Sequence, residues 1–317
     1  MQPLNKILVG LDLHHGDRII SDILEDTSQS ALNQAVELAT ATGASITLSA
    51  VLELSEQALH LIELDKDNIH RTVEDAAAAD LEKLATALRS QGLTVQTRLM
   101  IGRPADQLTL EAIRGGYSIV LVGTRKRSST ARALFGSTCN KLMRVCPVPV
   151  WVVKPGEVRE LREVLVASDF SEIGLAVTDA GVQMAKVLSA KLFLLHAIEF
   201  PFESYLHTAG ISEQEVANYR KRIHREAEEN LQSQLQQCDY RTVAAGVQIE
   251  LAEGSPDSVI PQYVEDREID LLVIGTHGRS GFSGMLLGNT AERVLPHVHS
   301  SVLVIKPRDF VSPVKVS

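Results

Sequence analysis

With 317 residues, the chain is long enough for two ordinary domains, each able to bury its own core. Hydrophobic residues at 44% and charged residues at 22% describe a soluble globular protein. Aromatics at 4% and a formal charge of −9 argue against a base-stacking nucleic-acid surface and against non-specific binding to DNA or anionic lipid.

The opening MQPLNKILVGLDL lacks a basic segment followed by an apolar run, so no signal peptide is expected, and no apolar stretch approaches the roughly 18 residues of a membrane span. Cys139, Cys146 and Cys238 are scattered and lack zinc-like pairing. They read as buried thiols in a reducing compartment, and the expected location is the cytoplasm.

In chain order, Lys6 to Asp12 (KILVGLD) reads as a first strand and Ser45 to Glu53 (SITLSAVLE) as a second. Gly102-Arg103-Pro104 follows, then Ile119 to Lys154 (IVLVGTRKRSSTARALFGSTCNKLMRVCPVPVWVVK). The second half repeats this order. Glu163 to Asp169 (EVLVASD) matches the first strand and Lys191 to Glu199 (KLFLLHAIE) the second, while Gly254-Ser255-Pro256 and Leu271 to Lys306 match the rest. Over the last fifty residues of each repeat the offset is constant at 152: Gly123 aligns with Gly275, Gly136 with Gly288 and Lys154 with Lys306. This is an internal duplication. Earlier the offset falls from 157 to 146, so the first half carries about eleven extra residues after Asp12, and the second about six more between Glu199 and Gly254.

Each half therefore reads as alternating strands and helices, a parallel doubly wound α/β sheet. In the second half, strands are expected near Val164–Ala167, Leu192–His196, Val247–Leu251, Leu271–Ile274 and Val302–Ile305. A helix from Gly174 to Leu188 spaces Val177, Ala180, Met184 and Val187 for one buried face. A long charged helix is expected over Glu213–Gln236 and a short one over Ala291–Val298. The domains are placed at 1–154 and 163–317, joined by a polar linker at 155–162.

The stretch LLVIGTHGRSGFSGMLLGNTAERVLPHVHSSVLVIK carries the chemistry. A buried strand breaks at Gly275 into a turn containing Gly278, and nine residues later Gly288, Asn289 and Thr290 open a helix. Glycines there allow positive φ and close approach of backbone to a ligand. Asn289 or Thr290 is expected as N-cap, and the N–H groups of the helix start attract phosphate. The same pattern also suits a Gly-rich connection without a ligand.

At these residues the chain resembles the universal stress protein family, and its whole length resembles the tandem members. The likeness rests on VLVASDFSE (Val164–Glu172), LLHAIE (Leu194–Glu199), EGSPDSVI (Glu253–Ile260), GTHG (Gly275–Gly278) and GNTAERVL (Gly288–Leu295), and spans residues 5–307. The resemblance implies two flavodoxin-like, Rossmann-like five-stranded sheets related by a pseudo-twofold, with nucleotide at the strand-order switch point. Carried over, Ala167, Ser168 and Asp169 lie near adenine or ribose, and Ala197 offers backbone to the base. Ile274 and Gly275 flank base and ribose, and Gly278, Arg279, Gly288, Asn289 and Thr290 hold the phosphates. The implied ligand is ATP, or AMP or ADP, with Mg²⁺ accompanying the phosphates. Asn289 departs from the family's Ser or Thr, but an amide still caps a helix.

The first half departs more. Asp12, Val51, Val122, Gly123, Lys126, Gly136, Ser137 and Thr138 form its equivalent site, with Lys126 where a glycine is expected and the long insert entering the adenine region. Arg125, Lys126, Arg127 and Arg132 attract an anion or form a solvated basic loop. The last strands, Val150–Val153 and Val302–Ile305, are implied to pair between the halves as an intramolecular pseudo-dimer, with a homodimer left open.

Histidines 277, 297 and 299, without a fixed carboxylate or Cys partner, are not assigned as a metal site. His14 and His15 fall in the insert, and Phe200–Gly210 (FPFESYLHTAG) gathers three aromatics. No Ser-His-Asp order and no Walker Lys-Ser/Thr is present. The expected function is an adenine-nucleotide-binding regulator of stress response acting through unidentified protein partners, at most a weak ATPase. A slow hydrolase and a nucleotide-free interaction protein are the alternatives.

Overall fold

The computed structural model describes residues 3–13, 24, 26–53, 69–124, 135–156, 160–200, 205, 208–276 and 287–315. It separates into two compact units, Gln2–Arg159 with Arg308–Ser317, and Glu160–Pro307. The C-terminal segment thus groups with the first unit, where the Ser312 hydroxyl donates to the Val145 carbonyl at 2.7 Å. No helix among the described residues is long and apolar enough to cross a membrane.

The first unit runs β1 (Lys6–Leu11), α1 (Asp26–Thr42), β2 (Ser45–Leu52), α2 (Ile69–Ser90), β3 (Val95–Ile101), α3 (Pro104–Gly115), β4 (Ile119–Gly123), α4 (Ser137–Val145), β5 (Val150–Val153). Its strands are all parallel, in the order β3-β2-β1-β4-β5. The second unit runs β6 (Glu163–Ala167), α5 (Glu172–Val187), β7 (Lys191–Ile198), α6 (Glu213–Gln236), β8 (Val247–Glu253), α7 (Pro256–Asp266), β9 (Leu271–Gly275), α8 (Asn289–Val294), β10 (Ser301–Ile305). Its order, β8-β7-β6-β9-β10, is the same arrangement repeated.

The strand chemistry follows the order. The interior strands β4 and β9 are covered on both faces, so Ile119, Val120 and Leu121, like Leu271, Leu272 and Val273, are completely buried. Each such side chain is worth roughly 1.5–3 kcal/mol of burial. At the edges, β3 (VQTRLMI) and β8 (VQIELAE) interleave polar residues and stay partly exposed. Helix α5 packs close to β6 because residue 181 is glycine: a Cβ there would lie 2.1 Å from Val166 Cγ2. Its Val177, Ala180 and Met184 are buried as the spacing predicts, whereas Val187, expected on the same face, is only half-buried in the last turn. In α6 only Val216, Ala227, Leu231, Gln234 and Leu235 are buried, and the other face is solvated.

The final helix of the second unit is shorter than the sequence pattern suggests. It ends at Val294 and tightens into a 3₁₀ turn over Leu295–His297, with Pro296 at its start. The three cysteines are buried and none forms a disulfide; burial pushes the Cys238 thiol up to about 11.

The duplication explains one pair of glycines directly. Gly102 and Gly254, which end the turns after β3 and β8, have φ of 130° and 129°, a region open essentially to glycine. Each N–H donates across the sheet, Gly102 to Leu52 at 3.0 Å and Gly254 to Ile198 at 2.9 Å. Pro104 and Pro256 then open α3 and α7, where a missing N–H costs nothing. Replacing Gly254 with Ala is expected to destabilise the chain by about 1–3 kcal/mol, read as a shift in the urea midpoint, because any Cβ is strained in that backbone.

Candidate functional site

In the second unit the strand order reverses between β6 and β9, so their helices leave in opposite directions and a crevice opens at the carboxyl ends. Most of the expected residues that are described come to this end. Ala167 closes β6, with Ser168 and Asp169 in the turn beyond; Ala197 lies near the end of β7; Ile274 and Gly275 end β9; Gly288, Asn289 and Thr290 start α8. Gly278 and Arg279 lie outside the described residues, as does His277.

The turn after β6 is tightly wired. Ser168 N–H donates to the Leu195 carbonyl at 3.0 Å, and its buried hydroxyl donates to Gln234 Oε1 at 2.6 Å, tying the turn to α6. The Asp169 carboxylate accepts from Ser171 N–H at 3.1 Å and from the Ser171 hydroxyl. Ser171 in turn caps α5, accepting from Gly174 N–H at 3.2 Å. Phe170 takes φ of +63°, a conformation unusual for a bulky side chain, and its ring stacks on His196 with centroids 4.0 Å apart. His196 Nδ1 donates to the Ser168 carbonyl at 2.7 Å, joining β7 to the turn. Ser168 is therefore a structural anchor with its hydroxyl directed at α6, while Asp169 is held in a fixed pose.

The described glycines of these turns do not take the left-handed backbone that the sequence suggests. Positive φ is absent at Gly275 and Gly123, and Gly288 and Gly136 have φ of −51° and −61°. Gly275 and Gly123 are small for packing reasons. A Cβ on Gly275 would meet Ile173 Cδ1 and Val177 Cγ2, both at 3.2 Å; one on Gly123 would lie 2.0 Å from the Thr27 carbonyl oxygen. The cap assignment is corrected too: Gly288, not Asn289 or Thr290, is the N-cap of α8, and Asn289 is its first helical residue. A glycine cap has no side chain to fold back over the helix start. The Gly288 N–H donates to the Thr276 carbonyl, and Thr276 N–H donates to Ile305 at 3.1 Å. The first intrahelical bond runs from Glu292 to Gly288 at 3.0 Å, so the amides of Asn289, Thr290 and Ala291 are helix-start donors without an acceptor inside the helix.

The first unit repeats the frame. Gly136 caps α4, Asn140 N–H donates to Gly136 at 3.0 Å, and Thr124 N–H donates to Val153 at 3.0 Å. Ser137 is exposed and Thr138 half-buried, as are Asn289 and Thr290. A cation on the cap helix pairs with the preceding helix in both units: Lys141 with Asp106 at 2.7 Å, and Arg293 with Asp257 at 3.8 Å. The Asp257 carboxyl is held below the usual range chiefly by the Ser255 hydroxyl. The mouths differ. Asp12 N–H is taken by Ser28 Oγ at 2.9 Å, Val122 is buried, and Val51 is half-buried in β2. Lys126, with Arg125, Arg127 and Arg132, lies outside the described residues, as do His14, His15 and residues 201–204 and 206–207.

Sequence reasoning missed Gln234 and assigned nothing to His196. Both stand as polar residues in apolar phases: Gln234 follows buried Ala227 and Leu231 at helical spacing, and His196 interrupts a buried strand. That signal marks a committed hydrogen bond.

Gly123→Ala is expected to cost roughly 1–3 kcal/mol because it meets backbone, whereas Gly275→Ala is expected to cost less than about 1 kcal/mol because side-chain ends can yield; paired urea melts decide. Ser168→Ala is expected to lose about 1–3 kcal/mol by orphaning Gln234, and Ser168→Ala/Gln234→Leu to regain part of it, read in the same melts.

A family model for the universal stress protein family matches residues 4–154 and again residues 160–306. Universal stress protein E of Photorhabdus laumondii is 25% identical over 312 residues, covering 94% of this chain and 97% of that protein. Universal stress protein E of Escherichia coli K12 is 25% identical over 299 residues, covering 91% and 93%. A solved structure from Pseudomonas aeruginosa UCBPP-PA14 has a TM-score of 0.67 at 24% identity, covering 98% of this chain and 95% of that one, a likeness of fold.

Proposed function

The chain belongs to the universal stress protein family through both of its halves, and from that membership we propose that its second unit binds an adenine nucleotide and acts as a nucleotide-dependent regulator in stress tolerance. The observation that carries this reading is the convergence, at the β6/β9 reversal, of a fixed carboxylate, an aromatic pair and the amides of a glycine-capped helix start. A purine finds the Phe170–His196 rings and the Ala197 backbone at the end of β6 and β7. Ribose hydroxyls have the Asp169 carboxylate as acceptor. Phosphates have the Asn289 and Thr290 amides, where glycine at 288 leaves room for close approach. The residues suit ATP, AMP or ADP alike, and Mg²⁺ would arrive with the phosphates of the larger ligands.

In this reading the first unit, with the Thr27 backbone against Gly123, serves as a companion domain rather than a second site. The chain acts in the cytoplasm, and its output is a change in contacts with protein partners. Isothermal titration of the full chain with ATP, ADP and AMP is expected to show saturable binding that excess pyrophosphate does not displace, and Gly288→Val to abolish that component without lowering the melting temperature by more than a few degrees. Equal affinity in that variant would remove the site assignment. Phosphate release over an hour separates a sensor, which leaves ATP intact, from a slow hydrolase.

A further inference from the structure

Helix α6 carries a row of basic side chains across the edge strand β8. Arg220, Lys221, His224 and Arg225 share one side of the helix because positions one turn apart are neighbours. With Glu228 and Glu253 they line a cavity of about 570 Å³, whose apolar wall is only Ala217 and Leu251. This lies within the range of roughly 300–1,000 Å³ typical of small-molecule sites. Strand β7 separates β8 from β6, so the cavity is distinct from the β6/β9 crevice.

Glu253 organises one half of the cavity. It ends β8 in register with Ile198, and its carboxylate meets His224 Nε2 at 2.8 Å and Arg220 Nη1 at 3.5 Å. The Arg220 guanidinium also lies over the Phe200 ring at 5.0 Å. Those contacts hold Arg220 and His224 in place. Lys221 and Arg225 are different: both are exposed, and among the described residues neither side chain has an ion-pair or hydrogen-bond partner.

The lining sets three permanent cations and a histidine against two carboxylates, in a chain whose formal charge is −9. A concave surface of locally inverted sign concentrates anions, and guanidinium forks match phosphate oxygens two at a time. A cation is repelled there. We propose that this cavity is a second ligand site, independent of the nucleotide reading, for a compact phosphate-bearing polyanion. Arg225 and Lys221 engage its oxygens, and Arg220 forms the preset wall.

Inorganic pyrophosphate titrated calorimetrically into the full chain at low ionic strength is expected to bind at one saturable site and to weaken as salt is added. Lys221→Ala/Arg225→Ala is expected to weaken it at least tenfold with an unchanged melting temperature, since both side chains are exposed. Gly288→Val is expected to keep wild-type pyrophosphate affinity, whatever it does to ATP. The proposal is overturned by absence of saturable binding to the wild-type chain or by equal affinity in the double variant. It is also overturned by loss of binding in Gly288→Val alone, which would put the anion at the crevice.

Discussion

The interaction on which the rest depends is the parallel pairing of β6 with β9, Val164 with Leu271, Leu165 with Leu272 and Val166 with Val273, all six side chains fully buried. Because β6 has β7 on its other side, the chain must leave its two neighbours in opposite directions. Right-handed crossovers then set the helices on opposite faces and leave the carboxyl ends open. The pairing of β1 with β4 imposes the same geometry on the first unit. The crevice is thus a topological consequence of apolar strand burial, made before any polar residue is considered.

Upon that frame the two units agree where backbone is concerned and part company at the mouth. They share the Gly102 and Gly254 turns, the glycine caps at 136 and 288, the ties from Thr124 to Val153 and Thr276 to Ile305, and a cation–carboxylate pair behind the cap helix. In the first unit the start of α1 presses backbone onto Gly123 and Ser28 takes the Asp12 amide. In the second, side chains of Ile173 and Val177 border Gly275, and Asp169 turns its carboxylate to Ser171. Contact of backbone with backbone leaves less room to adapt than contact of side chain with backbone. That difference distinguishes the units among the described residues.

The second unit also separates its polar chemistry by strand. Around β6 and β7, buried hydrogen bonds of Ser168, Gln234 and His196 lock the crevice wall into one arrangement. Over the edge strand β8, charge is exposed and only partly compensated. A central strand flanked on both sides can afford polar groups only when they are satisfied, whereas an edge strand leaves cations hydrated until a ligand arrives.

By itself the sequence determined the duplication, the alternation of strands and helices, the strand positions and the family. All of these follow from apolar periodicity and from motifs local in the chain. The placement of Ala197, Gly275 and Asn289 at one end was legible because parallel strands put every carboxyl end on the same side. Only the tertiary structure decided why the glycines are small, that Gly288 is the cap, that Ser168 faces Gln234 66 residues away, and that Arg220 and His224 of α6 meet Glu253 at the wall of a cavity. Each of those depends on the distance between elements remote in sequence, and close packing rather than local preference sets that distance.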